Sequence, residues 1–215
     1  MDGSMVDNVP YHKEAWLTFL AKYNIMISPA DFSAQNHGNI HEMISRFFPS
    51  EMDAQKIIDL GQEKEKTYRD IYQPHLKGIA GLEEFLQWLD GIQVSAHLAT
   101  MGDLPNIEFT LDGLGITDYF ATVTGGHEVS KGKPDPEVFL RALSKSQLDT
   151  HECLAIEDSA GGVKSALAAG LTCIGIATSS TPQDLKDMGC LTAVSDFHAL
   201  RDFIEHHLLN QENGA

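Results

Sequence analysis

From about residue 90 onward, short apolar runs alternate with stretches in which apolar positions recur every three or four residues. The runs Val94 to Ala99, Ala121 to Thr124, Cys153 to Ile156 and Leu171 to Ala177 predict strands. Between and after them the spacing predicts helices over Asn106 to Leu114, with Gly115 next, and over Gly162 to Ala169, closed by Gly170. A further helix is capped by Asp135, takes Pro136 in its first position and runs through Val138, Phe139 and Leu143. Later helices fit Pro182 to Met188 and Phe197 to Leu209, and Gly81 to Leu89 forms a helix leading into the first strand. Such strand–helix alternation predicts an α/β fold, a parallel sheet with helices on both faces.

The stretch from Tyr11 to Lys77 is different. Ala15, Trp16, Phe19 and Leu20, then Ile40, Met43, Ile44 and Phe47, then Ile57, Ile58 and Leu60 keep helical spacing, and no strand pattern interrupts them. It reads as an all-helical insert over 11–77 in a core made of 1–10 and 78–215. The chain has 215 residues, 42% of them hydrophobic, which suits a core of this size with one insert.

Charge and cysteine usage narrow the partners. A net charge of −16 argues against nucleic acid or an anionic membrane surface. It also means that an anionic substrate needs locally placed cations. Cys153, Cys173 and Cys190 lack C-x-x-C spacing, and the first two lie in apolar runs, so buried reduced thiols are expected. The acidic N-terminus has neither the basic nor the apolar region of a signal peptide, and no apolar run reaches the roughly 20 residues of a membrane span. A cytoplasmic protein, monomeric or weakly homo-oligomeric, is expected.

The candidate chemistry sits where the predicted strands end. Ligands of open parallel sheets bind beyond the carboxyl ends of the strands, and Thr100 and the pair Glu157-Asp158 each close an apolar run. Lys133 lies on the loop Gly132-Lys133-Pro134-Asp135-Pro136 after the strand at Ala121. Glu157 and Asp158 supply hard oxygen ligands suited to Mg²⁺, although Asp158 or Ser159 would also serve simply to cap the helix near Ala160. Lys133 is able to neutralise charge building on a phosphoryl group. Thr100 offers a hydroxyl, and Met101 and Gly102 offer backbone N–H groups. Asp2, in the acidic opening Asp2-Gly3-Ser4-Met5-Val6-Asp7, is a candidate general acid/base. Asp7 is expected to cap the turn into the next helix.

The set Asp2-Gly3 with Asp7, Tyr11-His12, Ala15-Trp16, Thr100, Lys133-Pro134-Asp135-Pro136, and Glu157-Asp158-Ser159 with Gly162 and Ala168-Ala169-Gly170 resembles the haloacid dehalogenase superfamily. Within it the chain looks like the β-phosphoglucomutase-like phosphatases with a helical cap, and the likeness covers nearly the whole sequence. The resemblance implies a Rossmann-like core and an aspartyl-phosphate intermediate. It assigns phosphate binding to Thr100 and Lys133, general acid/base work to Asp2, and Mg²⁺ to Asp158, Glu157 and the main-chain carbonyl of Asp2. It places His12 and Lys64 near substrate. From the residues alone, His12 fits a helix-start side chain packed beside Trp16, and Lys64 fits a solvated helix face.

Two departures from the family pattern bear on activity. The family opens with an apolar strand ending in Asp-x-Asp-Gly, and here Met1-Asp2-Gly3 matches only its last three positions, so the nucleophile and first strand are expected to lie upstream of Met1. The segment Gly38-Asn39-Ile40-His41-Glu42 lacks the arginine with which sugar-phosphate mutases hold a second phosphate. The expected activity is a Mg²⁺-dependent phosphatase of a small phosphorylated metabolite, a sugar phosphate for preference. A phosphosugar mutase is the nearest alternative, and a catalytically inert phosphate- or metal-binding protein is the alternative of another class. A dehalogenase would leave the Glu157-Asp158 pair unexplained. A receiver domain has its acidic pair early and no helical insert.

Overall fold

The computed structural model describes residues 1–35, 40–48 and 52–209. Gly38 and Asn39, in the segment compared with the mutases, lie outside the described residues. The chain forms two compact units: Met1–Asp7 with Lys77–Ala215, and Asn8–Leu76.

The helical unit contains α1 (Val9–Lys22), α2 (Pro29–Gln35), α3 (Ile40–Phe47) and α4 (Ala54–Tyr72). Their apolar stripes meet in one cluster around Trp16, Phe19, Leu20, Phe32, Ile44 and Leu60. Each large side chain withdrawn from water there contributes about 1.5–3 kcal/mol. Ile58, which fitted the stripe by spacing, is instead exposed. The first helix is not capped by Asp7, as expected from sequence. Asp7 is exposed, and the N-cap position belongs to Asn8, whose side chain makes no capping bond and instead donates to the Tyr68 hydroxyl at 2.6 Å.

The larger unit comprises α5 (Leu82–Gly91), β1 (Ala96–Ala99), α6 (Leu104–Leu114), β2 (Phe120–Thr124), α7 (Glu137–Ser146), β3 (Leu154–Glu157), α8 (Ala160–Ala168), β4 (Thr172–Ile176), α9 (Pro182–Asp187), β5 (Ala193–Val194) and α10 (Phe197–Ile204). Strand and helix alternate as the pattern predicts. The two-residue β5 was not foreseen, being too short to carry a period. The final helix also ends earlier than predicted, with Glu205–Leu209 wound as a π-helix. Asp135 does not occupy the N-cap position of α7; Pro136 does, while the Asp135 carboxylate accepts from Glu137 N at 3.1 Å.

All strand pairings are parallel, but the strands fall into two groups: β1 with β2, and β3 with β4 and β5. Alternation along β4 shows how both faces are covered. Ile174 and Ile176 face a cluster with Leu86, Ile107 and Leu200 from α5, α6 and α10. Cys173 faces the opposite cluster with Val138, Val163 and Leu185 from α7, α8 and α9. A strand buried on both sides reads as a continuous apolar run, which is why Leu171 to Ala177 stood out in the sequence. Among the described residues no helix is long and apolar enough to cross a membrane.

Candidate active site

Five chain segments deliver side chains to the carboxyl ends of β1 and β3. Thr100 follows β1 directly, and its N–H extends the ladder by donating to Thr124 O at 3.0 Å. Its hydroxyl accepts from Gly102 N at 3.0 Å, which folds the chain back sharply, and Gly126 N holds Gly102 O at 3.0 Å. The Gly102 N–H, offered by the sequence as a phosphate donor, is therefore engaged with Thr100 in this structure. A methyl group placed on Gly102 would lie 3.0 Å from Met1 Cε, 3.4 Å from Thr100 Oγ1 and 3.7 Å from Asp2 Oδ2. Asp2 and Thr100 thus converge on one small space. Met101 is exposed beside it.

Lys133 arrives on a loop that is tied down at both ends. The Glu137 carboxylate accepts from Ser130 N at 2.9 Å and Lys131 N at 2.8 Å, and Ser165 Oγ on α8 donates to Asp135 O at 2.7 Å. From this anchored loop Lys133 Nζ reaches Glu157 Oε1 at 2.5 Å and Ala99 O at 3.5 Å, so one ammonium joins the ends of β1 and β3. The Phe139 ring lies 4.7 Å from the same ammonium. Glu157 is only 4% exposed, and its carboxylate is pressed against α8, where a methyl on Gly162 would come within 1.8 Å of Oε2. Glycine is required there by close approach.

Asp158 follows at the start of the loop into α8. The cap of that helix is Ser159, whose hydroxyl accepts from Gly162 N at 3.2 Å, so Asp158 is left for other work. It is 4% exposed, and burial pushes its carboxyl above the usual range. Hydroxyl donation from Ser179 and Ser4 pulls the other way, Glu157 adds to the rise, and the Met1 ammonium lowers it. The Ser4 bond measures 2.8 Å. Gly3 (φ +70°) sits so close that a methyl there would be 2.1 Å from Asp158 Oδ2. The Gly3 carbonyl in turn accepts from the Thr178 hydroxyl just past β4. The Met1 nitrogen is buried in the same region. Desolvation lowers its pKa, and Asp2, Lys133, Glu157 and Asp158 all act on it.

Ser4, Thr178 and Ser179 escaped the sequence reading. A signal was present, because Thr178-Ser179-Ser180 is a hydroxyl run just beyond an apolar strand, the same position that singled out Thr100 and Glu157. The donor set fits a small hard cation. Asp158 and Glu157 are adjacent buried carboxylates, and Mg²⁺ takes one or two such groups and fills its remaining positions with water and phosphate oxygens. Among the described residues no three His, Cys, Asp or Glu side chains cluster into an all-protein cage, a pattern that Mg²⁺ does not need.

His12 and Lys64 lie in the helical unit, where they meet each other. Lys64 is 2% exposed, which overturns the solvated-face expectation. Its Nζ contacts His12 Nδ1 at 3.1 Å and Glu65 Oε1 at 2.9 Å, with the Trp16 ring 5.2 Å away. His12 stacks on Tyr68 at 3.7 Å, an arrangement that leaves its ring flat between helices α1 and α4.

Residues 1–176 match the haloacid dehalogenase-like hydrolase family, and the chain belongs to that family of enzymes. It is 27% identical over 176 residues to the phosphorylated carbohydrates phosphatase of Thermotoga maritima, a match covering 80% of this chain and 79% of that protein. In structure it is similar to a HAD hydrolase of family IA, variant 3, from Entamoeba histolytica (TM-score 0.84, 24% identity, 96% and 97% of the two chains). It is also similar to the β-phosphoglucomutase of Clostridium difficile (TM-score 0.81, 20% identity, 100% and 96%). Both structural likenesses bear on the fold, a Rossmann-like α/β core with a helical cap.

Proposed function

We propose that this hydrolase is a phosphatase of small phosphorylated carbohydrates that works through an aspartyl-phosphate intermediate with Mg²⁺ bound at Asp158 and Glu157. The observation that carries the reading is the convergence of Lys133, Glu157, Asp158, Thr100 and Asp2 at the carboxyl ends of β1 and β3. The phosphorylated-carbohydrate activity named for the Thermotoga maritima relative supports the substrate class.

In this reading the nucleophile is the carboxylate that the family pattern puts one position before Met1, whose nitrogen is buried under the influence of the Lys133 charge. Attack on phosphorus forms an O–P bond to that carboxylate as the sugar oxygen departs. Asp2, two positions after the nucleophile, donates a proton to the leaving alkoxide and then takes one from the water that attacks phosphorus, breaking the carboxylate O–P bond and releasing phosphate. Lys133 balances charge on the phosphoryl oxygens, and its bond to Glu157 fixes where the ammonium sits. Thr100 Oγ1, held by Gly102 N, directs its own hydrogen toward a phosphate oxygen. Asp158 is held in a single orientation by Ser4 and Ser179, leaving its remaining lone pairs for a cation. When bound, Mg²⁺ supplies Lewis-acid polarisation of the phosphoryl group.

The test is an assay of the chain carrying an apolar strand and an aspartate ahead of Met1, against a panel of sugar phosphates with and without Mg²⁺. Phosphate release that falls by about 10²–10³-fold in Lys133→Ala is expected. Turnover unchanged by that substitution, or by metal removal, would exclude the reading. The β-phosphoglucomutase likeness keeps a mutase as a second reading, and isomerised phosphosugar in place of free phosphate would decide for it.

A further inference from the structure

Helix α7 is tied to two loops of the candidate site, one at each of its ends. Its first turn fixes the Lys133 loop, because the Glu137 carboxylate accepts from Ser130 N and Lys131 N. Its last turn carries Lys145, which reaches the turn after β2. Lys145 Nζ donates to Val123 O at 2.6 Å and to Glu128 Oε1 at 2.8 Å, and lies 2.6 Å from Glu128 Oε2. Thr124 O is turned toward β1, where it accepts from Thr100 N, so the Val123 carbonyl faces the other edge of β2. Glu128 closes the turn itself. Its Oε1 accepts from Gly125 N at 3.1 Å, and its own N–H donates to Gly125 O at 3.0 Å. The Lys145 ammonium holds the Glu128 carboxyl below the usual range, with the Gly125 N–H assisting against the effect of burial. Arg141 approaches the same carboxylate only to 4.0 Å and is exposed.

The Thr100–Gly102 segment rests on this turn. Thr100 N donates to Thr124 O and Gly126 N to Gly102 O, both at 3.0 Å, so residues 100–102 hang from residues 124–126. The fit has no slack, since a methyl group on Gly126 would come within 2.5 Å of Met101 O. Any displacement of Gly125 to Glu128 therefore passes to the Met101 and Gly102 peptides. The geometry points to Lys145 as a positioning residue: through Val123 O and Glu128 it sets where the Thr100–Gly102 turn stands relative to Lys133, and so how tightly a phosphoryl group is held there. That phosphate binds at this turn rests on the phosphatase reading; the mechanical link from Lys145 to Gly102 does not.

The experiment uses residues 1–215 and three variants, Lys145→Met, Lys145→Arg and Lys66→Met. Methionine keeps the bulk of the side chain and donates nothing, whereas arginine keeps charge and donors. Lys66→Met removes the same charge from an exposed ion pair on α4. Amide exchange is read at Gly126, with Ile174 in β4 as the reference, and the affinity for inorganic phosphate is read by titration with Mg²⁺ present. Lys145→Met should speed exchange at Gly126 by at least about tenfold, leave Ile174 as in the parent, and weaken phosphate binding about tenfold. Lys145→Arg should recover most of both losses, and Lys66→Met should change neither. Unchanged exchange at Gly126 overturns the proposal, as does an acceleration shared equally by Ile174, which marks general loosening. Faster exchange with unaltered phosphate affinity also overturns it, because the turn would then move without consequence for the ligand. A parent that binds no phosphate rejects the phosphatase reading instead, and the exchange ratio still upholds or overturns the placement of the turn by Lys145.

Discussion

Two lysines, Lys133 half-buried and Lys64 fully buried, divide the molecule between them. Lys133 in the larger unit and Lys64 in the helical unit each hold a carboxylate, at 2.5 and 2.9 Å, and each lies near an aromatic ring. Their settings differ in what faces them. Lys133 sits where strands end, against a glutamate 24 positions away, in a space that also receives Asp2, Thr100 and Asp158. Lys64 pairs with its immediate chain neighbour Glu65 and with His12, inside a stack of aromatic rings. Each ammonium is directed at protein, Lys133 at Glu157 and Ala99 O and Lys64 at His12 and Glu65, so the two are told apart by the groups that gather around them. Burial alone does not mark a lysine as reactive; the surroundings do.

Removing each in turn sharpens the contrast, and Lys133→Ala should have the largest effect. It strands the buried Glu157 carboxylate, and breaking a buried pair costs about 3 kcal/mol or more. Urea denaturation should show the loss, together with a return of most of it in the double variant with Glu157→Gln. A stability loss that persists in full in the double variant would show that packing on Phe139, not the charge pair, is what matters.

Lys64→Ala is expected to cost about 2 kcal/mol, because Glu65 retains more contact with water than Glu157 does. The same denaturation measurement checks it. No loss of stability would mean that the His12–Tyr68 stack carries the helical unit without its cation.

Asp158→Asn should act in the opposite direction. Burial raises the Asp158 carboxyl above its ordinary 3.8, so the folded state binds its proton more tightly than the unfolded chain does. A group of this kind contributes stability that is complete below the unfolded pKa and lost as pH rises through the folded one. With no metal present, the asparagine variant should therefore be more stable than the parent at pH 7 and gain nothing at pH 3. A thermal melt at both values, in chelator, tests it. With Mg²⁺ added, the parent should recover the difference and the variant should not.

The order of elements was legible in the sequence because a strand covered on both faces must be apolar throughout. Leu171 to Ala177 and Cys153 to Ile156 could hardly be anything else. The residues of the candidate site were legible for a related reason, since Thr100 and Glu157-Asp158 interrupt apolar runs with groups that a core would not tolerate. The two-residue β5 carries no such pattern, and the Asp7 expectation failed because any of several polar residues suits a cap by type. Lys64 was misread for a more general reason. Helical spacing puts a residue on a face, but which neighbours close over that face is decided by α1, some fifty positions earlier in the chain. Ser4 and Ser179 were hidden likewise, since hydroxyls gain their meaning from the carboxylate that they meet.

The bond between the Thr178 hydroxyl and the Gly3 carbonyl joins residues 175 positions apart, and Ser4 meets Asp158 across 154. On a ribosome adding 5–20 residues per second, Gly3 therefore waits roughly ten to thirty seconds for the partner that fixes it. Throughout that interval Gly3 and Ser4 lack the partners that fix them, and a pocket whose contributors are so far apart in time is completed only after the stretch that follows β4 has been made.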